Sequence, residues 1–292
     1  MNTFDKALRQ VINDTQSGSV AVLQQLIRGI QAYLARAHDP GTSLKVIHDR
    51  LPLMTESLSH FAVVNHFLNQ LTEVLSRYQD HSSRSGELAD FVKQYEQIWK
   101  NVNEKVADTA FRNLECREKT ILLHSNSSAV ISLFSRLKNA GINVHIIQTE
   151  SRPENEGRNQ AEIIAGMDFE VRFVVDAAAA SMLDDVDMMI TGADQVHPDY
   201  FVNKIGTYPL ALACRDKGVP LYVLADSRKI SLRPADSESL YNIQKPGSDI
   251  WKPGIDNIRP VNFYFESIPG EFVRSFFTES RVTEPSQIVR PD

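Results

Sequence analysis

The sequence predicts an α/β fold in which a helical N-terminal domain precedes a parallel sheet with helices on both faces. Before about residue 119, apolar residues recur at helical spacing, and no sustained alternation of apolar and polar residues occurs. From residue 120, short and nearly continuous apolar runs alternate with helical stretches, which is typical of parallel strands buried on both faces. The predicted domains are therefore residues 1–115 and 116–292.

Helical spacing is clearest in two segments of the N-terminal part. One face of the first segment carries Leu23, Leu26, Ile27, Ile30 and Leu34. The second segment runs from Leu88 to about Val106 and repeats apolar residues at the same spacing of three and four. Because such faces must pack against other elements, these segments predict a domain of packed helices.

Six parallel strands are predicted in the C-terminal part, and helices alternate with them. The strands are residues 120–124, 144–149, 169–175, 186–191, 219–225 and 261–265. The clearest intervening helices are residues 127–139, 158–165 and 204–217. A glycine follows each of these helices within two residues, which suits a helix C-terminus.

Composition and charge exclude several classes of protein. The chain has 292 residues, of which 42% are hydrophobic and 23% charged, as in ordinary globular proteins. Its net charge of −6 argues against a main role in binding nucleic acid or an anionic membrane, because both need a basic field. Cys116 and Cys214 are the only cysteines, and no cysteine and histidine cluster has zinc-ligand spacing, so we expect no metal and no cofactor. No apolar segment suits an export signal or a membrane span, which indicates a cytoplasmic protein.

Polar residues follow the predicted strands, and in an open parallel sheet the ligand lies outside the carboxyl ends of the strands. The candidate residues at this edge are Ser125, Asn126, Ser127, Ser128, Arg152, Arg158, Asp194, Lys204 and Lys229. Hydroxyls and backbone N–H groups at a helix start favour a phosphate, and the arginines and lysines add cations nearby. The sequence thus predicts one cavity for a small phosphorylated ligand.

A structural explanation competes with this hypothesis for each residue. Serine, asparagine and aspartate are common helix caps and loop residues, and a single arginine or lysine is most often a solvated surface charge. Asp194 differs because it follows an apolar strand and Gly192-Ala193, where a carboxylate is partly desolvated, as many acid/base groups are. It is therefore the best acid/base candidate. His124, at a strand end, is interpreted as a packed or hydrogen-bonded histidine.

Several segments of the C-terminal part together resemble a known superfamily. They are Glu150-Ser151-Arg152-Pro153, Gly157-Arg158, Ile190-Thr191-Gly192-Ala193-Asp194, Asn203-Lys204-Ile205-Gly206-Thr207-Tyr208, Leu210-Ala211, Val219-Pro220-Leu221-Tyr222-Val223, Phe265-Glu266, Ile268-Pro269 and Phe272-Val273. The chain resembles the superfamily that unites the alpha, beta and delta subunits of translation initiation factor 2B with methylthioribose-1-phosphate isomerase and ribose-1,5-bisphosphate isomerase. The resemblance covers roughly residues 120–290 and implies a helical domain followed by a Rossmann-like domain.

The resemblance also implies roles for individual residues. Asp194 matches the catalytic aspartate of the isomerases. The positions at which the family holds phosphate and hydroxyl groups are Arg152, Arg158, Asn203, Lys204 and Lys229. One position departs: the isomerases carry a catalytic cysteine in a Thr-His-Cys-Asn pattern, whereas this chain has Leu123-His124-Ser125-Asn126. A serine hydroxyl is far less acidic than a thiol, so Ser125 is a poor proton shuttle.

Two functions remain open from the sequence. The first is a regulatory protein, similar to the initiation factor 2B subunits, that binds a sugar phosphate or nucleotide without the standard isomerase chemistry. The second is an aldose–ketose isomerase of a ribose-1-phosphate-type substrate, with Asp194 as acid/base and Ser125 in the place of the thiol. The absent cysteine favours the first, since the initiation factor subunits also lack it. The resemblance further implies a homodimer or larger homo-oligomer, with a protein partner if the role is regulatory.

Overall fold

The computed structural model describes residues 3–14, 18–36, 40–59, 61–77, 85–231 and 240–288 of the chain. The chain divides into two compact units, Met1–Asn101 and Val102–Asp292. Within the described ranges, no helix is both long and apolar enough to cross a membrane. These ranges also hold no cluster of three or more histidine, cysteine, aspartate or glutamate residues arranged to bind a metal ion.

The N-terminal unit is built from helices around one apolar core. Its helices are α1 (Thr3–Ile12), α2 (Ser19–Leu34), α3 (Pro40–Leu58), α4 (Ala62–Ser76) and α5 (Ser85–Trp99). The apolar face predicted for α2 is confirmed, because Leu23, Leu26, Ile27 and Ile30 are buried in this core and Leu34 packs against it. The helical N-terminal domain therefore follows from the spacing of its apolar residues.

The predicted helical segment from Leu88 to about Val106 comprises two helices. The first, α5, ends at Trp99, and the second, α6, spans Val102–Asn113. Val92 of α5 belongs to the core of the N-terminal unit, whereas Val106 of α6 belongs to a core of the C-terminal unit. Because the two helices bury their faces in different cores, α6 joins the C-terminal unit. The division thus falls before Val102, whereas the sequence placed it after residue 115.

A seven-stranded sheet forms the centre of the C-terminal unit. The strands of this unit are β1 (Thr120–Leu123), β2 (His145–Thr149), β3 (Val171–Val174), β4 (Met188–Gly192), β5 (Gln195–Val196), β6 (Tyr200–Lys204), β7 (Leu221–Leu224), β8 (Gln244–Lys245), β9 (Asn262–Phe263), β10 (Phe265–Pro269), β11 (Val273–Phe277) and β12 (Val282–Thr283). The order across the central sheet is β12-β11-β7-β4-β1-β2-β3. Every neighbouring pair is parallel except β11 and β12, so a sheet of six parallel strands is confirmed, with an antiparallel strand at one edge.

Helices cover both faces of this sheet. The helices after α6 are α7 (Ser128–Asn139), α8 (Gly157–Ala165), α9 (Asp176–Ala179) and α10 (Thr207–Lys217). Ile121 of β1 packs in one core with Leu133 of α7, whereas the next residue, Leu122, packs in another core with Leu210 of α10. Since successive residues of a strand point to opposite faces, the two cores lie on opposite sides of the sheet. The predicted α/β architecture is confirmed.

The sixth predicted strand, residues 261–265, was wrong. These residues form β9 and the start of β10, which pair antiparallel with β8 and β6 outside the central sheet. Val261 and Phe263 are exposed, so the run is not buried on both faces as a central strand would be. The sixth parallel strand is β11, whose Phe276 and Phe277 are buried in the two cores.

The helix predicted at residues 204–217 begins later than expected, at Thr207. Lys204 is instead the last residue of β6, which lies between β5 and β10 in a small antiparallel sheet. Gly206 then turns the chain with a φ of 100°, which residues with side chains rarely adopt. Asn203 and Lys204 therefore lie at the end of a strand and not at the start of a helix.

Candidate functional site

The strand order places a crevice between the carboxyl ends of β1 and β4. From β1 the chain proceeds outward to β2 and β3, and it then returns to β4 and proceeds to β7 and β11 on the other side. Ligands of open α/β sheets bind where the strand order reverses in this way. His124 and Ser125 follow β1 at this point, and Ala193 and Asp194 follow β4.

Helix α7 begins very close to the end of β4. Ser127 is the residue before its first turn, and its hydroxyl accepts a hydrogen bond from the backbone N–H of Val130 at 3.5 Å. Gly192 ends β4, and a Cβ added there would lie 2.6 Å from Oγ of Ser127. Real side chains do not pack this closely, so glycine at this position allows the start of α7 to approach the crevice.

Two buried glutamines hold the loop between β1 and α7. The backbone N–H of Ser127 donates to Oε1 of Gln160 at 2.8 Å, and Nε2 of Gln160 donates to Oε1 of Gln148 at 2.8 Å. Nε2 of Gln148 donates in turn to the carbonyl oxygens of Ser125 and Thr149, at 3.2 and 3.1 Å. Because buried polar groups are costly when unpaired, these bonds fix the loop in one position.

His124 ties the end of β1 to the residue that follows Lys204. Its Nε2 lies 3.0 Å from the carbonyl oxygen of Ile205, and its Nδ1 lies 2.7 Å from Oγ1 of Thr149. A carbonyl oxygen only accepts, so Nε2 carries the hydrogen and Nδ1 accepts from the threonine hydroxyl. Burial lowers the pKa of His124, although the carboxylate of Asp176 opposes this shift. The interpretation as a hydrogen-bonded histidine is confirmed.

Ser125 has a left-handed backbone conformation with a φ of 69°. Its backbone N–H donates to Oγ of Ser151 at 2.8 Å, and its hydroxyl donates to Oε1 of Glu156. A positive φ is uncommon for residues other than glycine, and such strained positions concentrate at functional sites. The serine hydroxyl is thus held by a carboxylate from the loop after β2.

Lys204 lies beside two carboxylates. Its side chain is 1% exposed, and Nζ lies 3.1 Å from Oε2 of Glu154 and 2.9 Å from Oε2 of Glu156. The ammonium also lies 4.9 Å from the ring centroid of Tyr264, within the range of a cation–π interaction. Burial raises the pKa of Glu154, and the charge of Lys204 opposes this shift. Glu156 therefore bridges Lys204 and Ser125 across the crevice edge.

Asp194 lies directly after β4 and is half-buried. Its backbone N–H donates to the carbonyl oxygen of Val202 at 2.8 Å, which joins the end of β4 to β6. Nζ of Lys229 donates to the carbonyl oxygen of Ala193 at 2.6 Å. The predicted acid/base residue and one predicted cation thus lie at the same strand end.

Asn203 connects three elements of the crevice. Its Nδ2 donates to Oγ1 of Thr191 at 2.9 Å and to Oγ1 of Thr207 at 3.0 Å. The hydroxyl of Thr191 donates to the carbonyl oxygen of His124 at 3.3 Å. Asn203 is 3% exposed, so it holds the ends of β1, β4 and β6 together from within the protein.

The remaining predicted residues lie at the outer rim. Asn126 and Ser128 are exposed at the start of α7, and Arg158 is exposed in the first turn of α8. Arg152 is also exposed, and its Nη2 lies 3.5 Å from the carbonyl oxygen of Ile250. Hydrogen bonds through Glu156 thus connect Ser125 with Lys204, and Lys229 is bonded to the backbone of Ala193, the residue before Asp194. The two arginines are surface cations, one in the loop after β2 and one in the first turn of α8.

Sequence reasoning missed Glu154 and Glu156, which contact Lys204 and Ser125 directly. Both lie between Pro153 and Gly157, inside the segment that carries the resemblance to the superfamily. The sequence does show two acidic residues in a loop that is predicted to bind an anion, and their negative charge conflicts with that prediction.

Comparison with known proteins identifies the family. Residues 4–285 match the profile of the initiation factor 2 subunit family. The chain belongs to this family. It is 34% identical over 166 residues to a protein of Pyrococcus furiosus named as a translation initiation factor eIF-2B subunit 2-like protein, and the match covers 56% of this chain and 58% of that protein. It is 29% identical over 172 residues to ribose 1,5-bisphosphate isomerase of Archaeoglobus fulgidus, with 57% of this chain and 54% of the isomerase covered. The matches therefore span little more than half of either relative.

Solved structures show the same fold for this member of the initiation factor 2 subunit family. The translation initiation factor eIF-2B of Pyrococcus horikoshii OT3 superposes with a TM-score of 0.82 at 21% identity, covering 98% of each chain. The 5-methylthioribose 1-phosphate isomerase of the same organism superposes with a TM-score of 0.75 at 20% identity, covering 98% of this chain and 85% of the isomerase. Both likenesses concern the fold alone.

Neither cysteine of this family member replaces a thiol at the crevice. Cys214 is buried on α10, and Cys116 is buried after the end of α6. Burial raises the pKa of Cys116 to about 11 and that of Cys214 to about 12. Both side chains pack in apolar cores, where a thiol stays protonated near neutral pH.

Proposed function

We propose that this family member binds a phosphorylated sugar or nucleotide in the crevice between β1 and β4, and that it acts as a regulatory protein without cysteine-dependent isomerisation. The observation that carries the proposal is Ser125, which stands after β1 where the isomerases have their cysteine and whose hydroxyl donates to Glu156. Relatives carry names of both kinds, so membership of the family leaves both roles open.

The chemistry of the hydroxyl supports a binding role. Opening and rearrangement of a sugar phosphate require groups that take up and release protons. A serine hydroxyl is essentially never ionised near neutral pH, whereas a thiol already has some thiolate and gains more beside cations. Ser125 is therefore expected to permit ligand binding and to slow proton transfer by a large factor.

The start of α7 supports a phosphate as part of the ligand. The first backbone N–H groups of a helix have no partner within the helix, and the helix dipole favours an anion there. Arg152 follows Ser151, whose hydroxyl accepts from the backbone N–H of Ser125. Arg158 lies two residues before Gln160, whose side-chain oxygen accepts from the backbone N–H of Ser127. Both arginines are exposed on segments that are hydrogen-bonded to the loop before α7, and their positive charge would attract an anion.

Asp194 favours a second candidate role, that of an aldose–ketose isomerase. It follows β4 in the same crevice, is half-buried, and occupies the position of the isomerases' catalytic aspartate. In this role Asp194 would act as acid/base, and Ser125 would stand in for the thiol.

Turnover of methylthioribose 1-phosphate and ribose 1,5-bisphosphate separates the two roles. We expect the native protein to bind a sugar phosphate and to convert neither substrate at a detectable rate. Ser125→Cys is expected to gain measurable turnover, and Asp194→Asn added to this variant is expected to remove it. Ser128→Cys, which places a thiol at an exposed position of the same helix start, is the control and should gain nothing. Rapid turnover by the native protein that survives in Ser125→Ala would contradict the regulatory role.

We also propose that the protein assembles as a homodimer or a larger homo-oligomer, with a protein partner if the regulatory role holds. Support comes from exposed apolar side chains of the C-terminal unit, among them Trp251 at 54% and Ile255 at 63% exposure, because exposed apolar patches often mark protein interfaces. Light scattering at micromolar concentration measures the assembly, and a monomer there would contradict it.

A further inference from the structure

Lys204 is paired with carboxylates of the protein, unlike a lysine whose ammonium is available to bind a phosphate. Its Nζ lies 3.1 and 2.9 Å from the carboxylates of Glu154 and Glu156, and the ring of Tyr264 lies on another side with its centroid at 4.9 Å. An ammonium has three hydrogens to donate, and two carboxylates already accept from this one. Lys204 is therefore largely neutralised within the protein.

Exposure decides which of these charges a ligand meets. The side chain of Lys204 is 1% exposed, whereas those of Glu154 and Glu156 are 24% and 27% exposed. The two carboxylates are thus the solvent-exposed part of this ion-paired group, and the ammonium is not. A ligand that approaches Lys204 meets two negative charges first.

Neighbouring charges do not reverse this balance. Lys245 lies 5.3 Å from the ring centroid of Tyr264, and the hydroxyl of Tyr264 donates to Oδ2 of Asp249 at 2.8 Å. Three carboxylates, those of Glu154, Glu156 and Asp249, therefore accompany three cations: Lys204, Lys245 and Arg152, whose Nη2 lies 3.5 Å from the carbonyl oxygen of Ile250. This end of the crevice has no excess of positive charge.

We infer that Glu154 and Glu156 set the charge specificity of the site: the part of the ligand that meets Lys204 is an uncharged hydroxyl-bearing group, and the protein selects a monophosphate ester over a bisphosphate. This inference rests on the proposed ligand-binding function and specifies its substrate class. The hydroxyls of a sugar can donate to the exposed carboxylate oxygens, which accept such bonds strongly.

A second phosphate at Lys204 would have to displace at least one carboxylate. If Glu156 were displaced, it would lose its bond to the ammonium and Ser125 would lose the acceptor of its hydroxyl, because one oxygen of Glu156 accepts from Lys204 and the other from Ser125. If Glu154 were displaced, it would lose its bond to the ammonium. If neither carboxylate moved, the phosphate would face two like charges at close range, which is strongly unfavourable in a partly buried site. Either route lowers the affinity for a bisphosphate.

Calorimetric titration with ribose 5-phosphate and ribose 1,5-bisphosphate tests the inference on the full chain. We expect the native protein to bind the bisphosphate more weakly than the monophosphate. Glu156→Gln, which keeps the shape of the side chain and removes one charge, is expected to raise the affinity for the bisphosphate at least about tenfold relative to the monophosphate. Glu162→Gln removes the same charge from an exposed position of α8 and should leave the ratio of the two affinities unchanged.

Each result has a defined meaning for the inference. Glu154→Gln provides a second variant if Glu156→Gln melts at a markedly lower temperature than the native protein. A native affinity for the bisphosphate equal to or higher than that for the monophosphate would overturn the inference and leave the proposed function standing, as would an unchanged ratio in both glutamine variants. If the native protein binds neither sugar but a glutamine variant gains bisphosphate binding, the two carboxylates repel a second phosphate as inferred, whereas the proposed sugar-phosphate binding by the native protein fails. If no variant binds either sugar, both fail.

Discussion

Protonation of His124 is expected to destabilise the protein below neutral pH. The folded state buries the ring as a neutral tautomer that donates to Ile205 and accepts from Thr149, and burial lowers its pKa. In the unfolded chain the histidine has an ordinary pKa of about 6.5. Below this pH the unfolded state binds a proton that the folded state does not bind. The stability that depends on neutral His124 is therefore present above about pH 6.5 and is lost as the pH falls.

The size of this loss follows from linkage. Each pH unit between about 6.5 and the lowered pKa of the folded state costs up to about 1.4 kcal/mol for a single proton. Since the titration of the unfolded state is spread around its midpoint, we expect His124 to lower the free energy of unfolding by at most about 1 kcal/mol between pH 6.5 and 5.5. The loss should continue at lower pH until the folded state also binds the proton.

Urea unfolding at a series of pH values between 5 and 8 measures this contribution. His124→Gln does not titrate, and its amide N–H replaces the donor toward the carbonyl of Ile205, so its free energy of unfolding should fall less steeply with acid than that of the native protein. His145→Gln makes the same change at an exposed position and should follow the native profile. Parallel profiles for the native protein and His124→Gln would show that the proton is taken up elsewhere, and the assignment of the neutral buried tautomer would be refuted.

Two further sets of substitutions test packing and charge at the carboxyl edge of the sheet. Gly192→Ala places a Cβ 2.6 Å from Oγ of Ser127 and is expected to cost about 1–3 kcal/mol in urea unfolding, whereas Gly254→Ala, with no heavy atom within 4 Å, should cost less than about 0.5 kcal/mol. Equal effects would contradict the close approach of α7. Arg228→Met leaves the buried carboxylate of Asp226 without its ion pair and is expected to cost about 3–5 kcal/mol, part of which Asp226→Asn should recover. A stable Arg228→Met protein would contradict this role of the pair.

The central sheet was predictable because its strands are buried on both faces. Residues such as Ile121, Leu122 and Leu123 leave a continuous apolar run in the sequence, and such runs fit few other structures. The sixth strand was misplaced because residues 261–265 carry a similar run, although half of it faces solvent in β9 and β10. Apolar composition alone does not report which neighbour a short strand pairs with.

The edge of the sheet that holds the site was also predictable, but the pairing of its charges was not. Strand order and the polar residues after each strand place Ser125, Asp194 and Lys229 near the same crevice. The pairing of Lys204 with Glu154 and Glu156 depends on the path of the loop after β2, which positive φ values at Ser151 and Asn155 bend back toward β1. The sequence does not predict the path of this loop, because positive φ values at polar residues have no distinct sequence pattern beyond a preference for asparagine and aspartate.

The serine after β1 and the neutralisation of Lys204 are coupled through Glu156. One carboxylate oxygen accepts from the hydroxyl of Ser125, and the other accepts from the ammonium of Lys204. A hydroxyl tolerates this carboxylate because it remains protonated and donates to it. A cysteine at the same position would ionise beside a negative charge, which raises the pKa of a thiol and limits the amount of thiolate, so the turnover gained by Ser125→Cys is expected to be slow. The same carboxylate is also paired with the ammonium of Lys204, whose positive charge would otherwise lower the pKa of a thiol. The glutamate in the loop and the serine after β1 are therefore mutually compatible, and both fit the proposed role of holding a hydroxylated ligand better than they fit proton transfer.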